Sequence, residues 1–319
     1  MPEPAQKPSR RSDNKANLAG RFFAISKTVG DKPLFFRKVN GTWSGLSWAE
    51  VDHTTRQLAS VLVSAGVGPG DRVIISAENR PEWAICDLAI MTIGAIVVPA
   101  YTTNTEDDHH FIMDHSGAVV AITSGGALAT RMMVAASRAP SMRLIMFMDP
   151  TVISHPDPNI EEIQWDDVVA ATALASIDQY IKAQKSNDTC CLIYTSGTGG
   201  RPKGVMLTHK NLISNVVATI NMADLQSLDN HTFLSFLPLS HVLERMGGHF
   251  TSFALGATVY YAESIETVAD NLGEAHPSIV VSVPRLFEKM YNKINDGLKT
   301  APSIRRKIFK WAYGVGKQT

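Results

Sequence analysis

With 319 residues, 45% apolar and 19% charged, the chain has enough hydrophobic surface for a large core and for more than one domain. Thirty basic and thirty acidic side chains cancel, which excludes the electrostatic footprint of a nucleic-acid partner and favours small molecules. Three cysteines, Cys86, Cys190 and Cys191, lack ligand spacing, and two neighbours on one strand would face opposite ways; this argues against a zinc site or disulfide framework and for a reducing, cytoplasmic compartment.

Residues 1–18 open with basic side chains but have no apolar run behind them, so they are expected to form a disordered tail and not a secretory signal. Ser47-Trp48-Ala49-Glu50 is a capping box that starts a helix running to about Ala65. A Gly-Pro-Gly turn within Gly66–Asp71 leads to a β-branched strand, Arg72 to Ala77, and Pro81 opens the next helix. The apolar stretch Ala84 to Tyr101 is long enough to raise the question of a membrane span. Asp87, Pro99 and the change from helix-like to strand-like composition favour a buried helix followed by a buried strand, Ala95 to Tyr101. A helix opened by Thr105, a strand Ala118 to Thr123, a helix to about Ser137 and a strand Leu144 to Met148 complete a βαβ series, which builds a parallel sheet covered by helices.

The Pro- and Asp-rich segment Asp149 to Asp167 breaks this rhythm and supplies the internal boundary, placing a first α/β subdomain at 19–185 and a second at 186–319. The second series begins with strand Thr189 to Thr195. Helix Lys210 to Ala223, strand Thr232 to Leu237, helix Ser240 to Ala254, strand Ala257 to Ala262, helix Ser264 to Ala275, strand Ile279 to Val283 and two further helices follow. In the last of these, Ser303 to Lys317, five basic residues accompany an apolar face of Ile304, Ile308, Trp311 and Ala312. Packing on the domain with a solvated basic rim is the simpler expectation, and a peripheral membrane contact stays open beside it.

Between Tyr194 and Gly204 the sequence reads Tyr-Thr-Ser-Gly-Thr-Gly-Gly-Arg-Pro-Lys-Gly. Glycines let consecutive backbone N–H groups converge on an anion, hydroxyls add neutral donors, and Lys203 adds a point charge, so the segment is suited to cradle phosphates. A Walker A loop would need a hydroxyl directly after the lysine and Gly204 stands there; no Gly-x-Gly-x-x-Gly with a following acid supports a dinucleotide fold. The placement after a strand suits a site at the carboxyl end of an α/β sheet.

The run YTSGTGGRPKGVMLTH, Tyr194 to His209, resembles the signature loop of the adenylate-forming superfamily of acyl-CoA synthetases, luciferases and peptide-synthetase adenylation domains. FLPLSHVLER (Phe236–Arg245) and SVPRLFEKMYNKI (Ser282–Ile294) resemble the long-chain fatty acyl-CoA synthetases within it. The resemblance begins near Phe22 and departs at Gly199, where the family usually has a second threonine; the lost hydroxyl removes a donor worth about 1 to 3 kcal/mol if charge-assisted. It implies two related doubly wound subdomains of the adenylate-forming N-terminal domain, incomplete at the C-terminus. The implied reaction is carboxylate attack on the α-phosphorus of ATP, loss of pyrophosphate, then displacement of AMP by the CoA thiol.

Long-chain fatty acid, ATP, CoA and Mg2+ are the partners this implies. Thr195, Ser196, Gly197, Thr198, Gly199, Gly200 and Lys203 would hold the β- and γ-phosphates, with Lys203 also in the catalytic set, and Tyr194 either joins them or only packs the strand end. His241, with Ser240 as N-cap, would lie on the acyl-carboxylate side as the second catalytic candidate; on residue pattern alone it reads equally as a capping or core histidine. Glu244 and Arg245 are candidates for a structural pair, and Arg285 for either the pocket wall or a surface salt bridge. The family's later motifs, which bind magnesium and the ribose and supply a mobile-domain lysine, do not occur here, so the chain is expected to be an N-terminal portion with little or no turnover alone. An acyl-AMP ligase serving a carrier protein and a noncatalytic remnant that binds acyl chains or a partner are the alternatives.

Overall fold

The computed structural model describes residues 17–152, 157–174, 176–195, 201–225 and 230–317. Of the expected tail, Asn17 and Leu18 are described, and they already belong to a helix: Asn17 caps α1 (Leu18–Val29) by accepting from Gly20 N at 2.7 Å. A hairpin, β1 (Pro33–Val39) and β2 (Thr42–Ser47), leads into α2 (Trp48–Ser64). Alternation follows through β3 (Arg72–Ser76), α3 (Pro81–Thr92), β4 (Ile96–Pro99), α4 (Glu106–Ser116), β5 (Ala118–Thr123), α5 (Gly126–Ser137) and β6 (Leu144–Phe147). Next come β7 (Glu161–Gln164), α6 (Trp165–Ala170), α7 (Ile177–Ala183), β8 (Thr189–Thr195), β9 (Lys203–Thr208), α8 (His209–Met222) and β10 (Thr232–Ser235). A helix built from α9 (Val242–Glu244), a π-helical turn (Arg245–Phe250) and α10 (Thr251–Leu255) precedes β11 (Thr258–Tyr261), α11 (Val268–Ala275) and β12 (Ile279–Val280). Finally come α12 (Pro284–Thr300) and α13 (Ser303–Gly316). The chain forms two compact units, 1–280 and 281–319.

The strands of the first unit make two sheets, β7-β6-β5-β3-β4-β8-β9 and β12-β10-β11-β1-β2. Each is parallel except at one edge, where a hairpin partner, β9 or β2, runs antiparallel. Sheet membership therefore does not follow the 185/186 division. β8 slots beside β4 through Val97 and Cys191, and β1 pairs with β11 across more than two hundred residues. The segment 149–167 does not interrupt the first sheet either, because β7 extends it beyond β6.

Period-two alternation puts a core on each face of the seven-stranded sheet. Val73, Ile75, Ile122 and Met146 face one core with α1, α2, α3 and α8; Ile74, Val98, Ala121 and Ile145 face the other with α4 and α5. Every residue of α3 is buried, which accounts for its apolar composition, and no described helix is long and apolar enough to cross a membrane. The capping boxes at Ser47/Glu50 and Thr105/Asp108 form as expected, each worth about 1 kcal/mol, and a third forms at Thr208/Asn211. Cys190 and Cys191 do not face opposite ways: the register shifts between Thr189 and Cys191, as at a β-bulge, and both thiols, free and buried, enter the same core.

Candidate functional site

The glycine loop joins two antiparallel strands. Thr195 at the end of β8 is the cross-strand partner of Lys203 at the start of β9, so residues 196–202 leave and return between backbones about 5 Å apart. Lys203 therefore heads a strand and not a helix, which separates this loop from a Walker A loop in geometry as well as in sequence. Thr195 and Lys203 are both exposed, and among the described residues Lys203 makes no ion pair, so its ammonium is available to an anion. Ser196, Gly197, Thr198, Gly199 and Gly200 lie outside the described residues.

The base of the hairpin is fixed from one side. Tyr194 lies across from Gly204, where a Cβ would come within 3.3 Å of the ring; a side chain there would push the tyrosine away. The Tyr194 hydroxyl is 2.8 Å from His115 Nδ1 on α4, and Phe111 meets the ring edge-on at 6.4 Å. Burial raises the phenol pKa, which keeps it neutral. Tyr194 thus packs the strand end, the simpler of its two expected roles.

His241 sits at the carboxyl end of the other sheet, in the turn that follows β10. It is itself the N-cap of α9, accepting from Leu243 N at Nδ1 over 3.2 Å, so the cap is His241 and not Ser240. A neutral ring accepting at Nδ1 carries its proton at Nε2, leaving that N–H as a donor on an exposed residue. Asn79, in the turn after β3, holds this segment in place: its amide donates to Leu237 O at 2.6 Å and Ser235 Oγ at 3.1 Å and accepts from Leu239 N at 3.0 Å. One side chain thereby pins the carboxyl end of β10 to the carboxyl end of β3. Sequence pattern marks only Pro81 in this turn; an asparagine in a polar Asn-Arg-Pro run is a turn signal, and its partners lie more than 150 residues away. Beside it, Arg80 binds Asp149 at 2.8 Å and Glu82 at 2.9 Å, and Asp149 accepts from Gly125 N, so charged groups link the turns that follow β3, β5 and β6.

Glu244 and Arg245 do not pair with each other. The Arg245 guanidinium donates to Asp87 Oδ1, and His249 Nε2 lies 3.2 Å from Asp87 Oδ2, all three being buried. Burial opposes the charge on Arg245, and Asp87 more than offsets it, holding the guanidinium pKa above its usual value. The same burial lowers His249 toward the neutral form. The π-helical turn delivers Arg245 and His249 together onto α3, and it explains Asp87, the acid in the middle of that buried helix. Glu244 is buried against Gly248 and beside Ser235, and burial pushes its pKa up to about 8, so it is mostly a neutral acid at pH 7. Arg285, in the second unit, starts α12 and is exposed.

Among the described residues no group of three His, Cys, Asp or Glu side chains is placed to hold a metal ion.

The profile of the AMP-binding enzyme family matches residues 22–314. Long-chain-fatty-acid–CoA ligase FadD15 of Mycobacterium tuberculosis is 33% identical over 276 residues, 86% of this chain and 45% of that protein. The peroxisomal long chain acyl-CoA synthetase 6 of Arabidopsis thaliana is 32% identical over 289 residues, 88% of this chain and 40% of that one. The chain thus spans less than half the length of these relatives. Among solved structures, the A domain of carboxylic acid reductase from Segniliparus rugosus, in complex with AMP and a co-purified carboxylic acid, superposes with a TM-score of 0.76 at 21% identity, covering 91% of this chain and 51% of that one. Coronafacic acid ligase from Pectobacterium brasiliense superposes with a TM-score of 0.73 at 18% identity, over 90% of this chain and 53% of that one. A parallel sheet that ends in a glycine-loop hairpin, a match over most of the chain and relatives above 30% identity lead to one assignment: the chain belongs to the AMP-binding enzyme family.

Proposed function

We propose that this chain is the N-terminal portion of a long-chain fatty acid–CoA ligase that works through an acyl-adenylate. The observation that carries the reading is the β8–β9 hairpin: a seven-residue, glycine- and hydroxyl-rich connection with an exposed lysine at its exit, at the carboxyl end of a parallel sheet. In this reading Thr195, Ser196, Gly197, Thr198, Gly199, Gly200 and Lys203 hold the β- and γ-phosphates of ATP while the fatty-acid carboxylate attacks the α-phosphorus. The loop supplies positioning and charge stabilisation. His241, itself the N-cap of α9 and following the segment that Asn79 holds, directs its Nε2–H toward the acyl carboxylate or the α-phosphate. Mg2+ and CoA are expected as cofactor and co-substrate, with Mg2+ supplying charge neutralisation on the triphosphate. Three free, buried thiols agree with a cytoplasmic setting.

Gly199 favours a second reading, a noncatalytic remnant that binds acyl chains or a partner. ATP–pyrophosphate exchange with a long-chain fatty acid separates the two, run on this chain and on the product extended to its natural stop codon. Exchange by the longer product alone establishes an adenylating enzyme; no exchange by either, with normal folding, rejects it in favour of the remnant.

A further inference from the structure

We infer that Glu244 is a positioning residue for His241: its buried, uncharged carboxyl seats the helix start that carries the imidazole. The inference rests on the role proposed above for His241 and adds the group beneath it. Glu244 ends the single turn of α9 that His241 caps, and the next N–H, on Arg245, donates to His241 O at 3.1 Å. His241 is exposed and Glu244 is 1% exposed, so one turn of helix offers one side chain to the site and inserts the other into the core.

The surroundings of the carboxyl are shaped to it. A Cβ on Gly248, one turn further on, would collide with Oε1 and come within 2.8 Å of Cδ, so this glycine leaves the room that the acid fills. On the other side lies Ser235, at the end of β10, whose hydroxyl accepts from the Asn79 amide at 3.1 Å. Asn79 also holds Leu237 and Leu239, so Asn79, Ser235 and Glu244 form one polar path beneath the turn that leads to His241.

Charge decides whether this seat holds. The titratable groups around it are Tyr261 on β11, Glu82 and Asp87 on α3, His209 on α8, and Arg245 and His249 in the π-helical turn. Glu82 binds Arg37 and Arg80, and Asp87 binds Arg245, so among the described residues these cations already have acids, and a Glu244 carboxylate would be a buried charge without a counter-ion. Burial outweighs the Ser235 hydroxyl, which favours ionisation, and the proton is held to about pH 8. Above that pH the carboxylate needs water, and the turn bearing His241 is what stands over it. The β8–β9 hairpin belongs to the other sheet and keeps its own support.

The test follows His241 directly, by NMR of this chain with isotope-labelled histidine, the signal being assigned with His241→Gln. The ring signal should move with a midpoint near pH 8, well above the midpoint of about 6.5 of an ordinary histidine, and Glu244→Gln, which fixes the neutral form, should remove that movement. No movement near pH 8, or the same movement in the variant, overturns the proposal. Urea midpoints supply the sign. An unfolded glutamate releases its proton at about 4.5 and folded Glu244 at about 8, so the wild type loses stability to this group as pH rises through that window, and Glu244→Gln should gain on it there. A variant less stable than the wild type at every pH overturns the proposal, since the carboxylate would then be the form the fold needs. In the longer product, KM for the long-chain acid should rise about 10-fold between pH 7 and pH 9, because only about one tenth of the seat is then protonated; KM for ATP should stay level, and Glu244→Gln should flatten the rise. A level KM for the acid, or a parallel rise in both, overturns the positioning role. Exchange absent at every pH while His241 moves as expected removes only the ligase reading; exchange with a stationary His241 removes only the role of Glu244.

Discussion

Two hairpins in this molecule are built alike and closed differently. Each ends a parallel sheet with one antiparallel strand, and each runs into a helix through a capping box, Ser47/Glu50 after β2 and Thr208/Asn211 after β9. The first residue of each helix then touches α1: Trp48 stacks on Phe22 at 5.3 Å, and His209 Nδ1 accepts from Leu18 N at 3.2 Å. The β1–β2 connection is only Asn40 and Gly41, both at positive φ, the economical turn for two twisted strands. The β8–β9 connection takes seven residues for the same task. What the strands require is met by two residues, so the additional length, the glycines and the hydroxyls answer to something other than the fold. The second difference lies in the anchors: an indole against a phenyl ring is indifferent to acid, whereas an accepting imidazole is not.

The strongest way to break this comparison is to make the hairpins equal. Replacing residues 196–202 by Asn-Gly should leave the melting temperature nearly unchanged, since loop closure over seven residues and over two differs by only about 1 kcal/mol. Exchange in the longer product should fall by roughly 100-fold or more, to background, once the phosphate donors are gone. A variant that unfolds instead would show that the loop is structural and would remove the contrast.

Acid tests the anchors. Burial lowers His209 to about 4, against 6.5 for an ordinary histidine. The folded chain thus resists a proton that the unfolded chain accepts below pH 6.5; stability is complete above that pH and is lost as pH falls from 6.5 toward 4, by roughly 3 kcal/mol. Buried His109, also at about 4, adds to the same window. Urea midpoints across this range should fall, and His209→Gln, which keeps an acceptor for Leu18 N, should fall less. A flat wild-type profile would mean that His209 is free to protonate in place.

Legibility in the sequence followed the range of the interactions. Strands Ala118–Thr123 and Thr189–Thr195 form with the expected bounds, as do the helix starts at Ser47, Pro81 and Thr105, because composition and caps act within a few residues. The β9 strand is hidden: Lys203 and Gly204 open it, and as an edge strand it leaves Val205 and Met206 exposed, so no buried alternation marks it. Asn40-Gly41 is a hairpin signal, yet βαβ alternation read from Ser47 onward passes over β1, whose partner is β11. Asp87 carries no local sign of Arg245, 158 residues away, nor Asn79 of Leu237 and Leu239. At the candidate site, residue types were legible and the hairpin that presents them was not.

Lys203 offers a smaller effect. It is exposed at the head of an edge strand, so Lys203→Ala should change stability by less than about 0.5 kcal/mol. Loss of a charge-assisted contact to phosphate should cost about 1.5 to 3 kcal/mol, or roughly 10- to 100-fold in exchange and in ATP affinity by titration. Equal losses of stability and affinity would place the lysine in the hairpin's own structure.

The smallest change is at Gly199, where two physical demands oppose each other. A hydroxyl adds a donor to the loop; a glycine admits backbone conformations that a β-branched residue resists. Gly199→Thr should raise ATP affinity about fivefold, or about 1 kcal/mol, if the donor is what the loop lacks. Weaker binding with a lower melting temperature would instead mean that this loop has a backbone path requiring glycine. Because β8 and β9 are held by their own pairing and by Tyr194 against His115, either outcome is read on the loop alone and not on the strands that carry it.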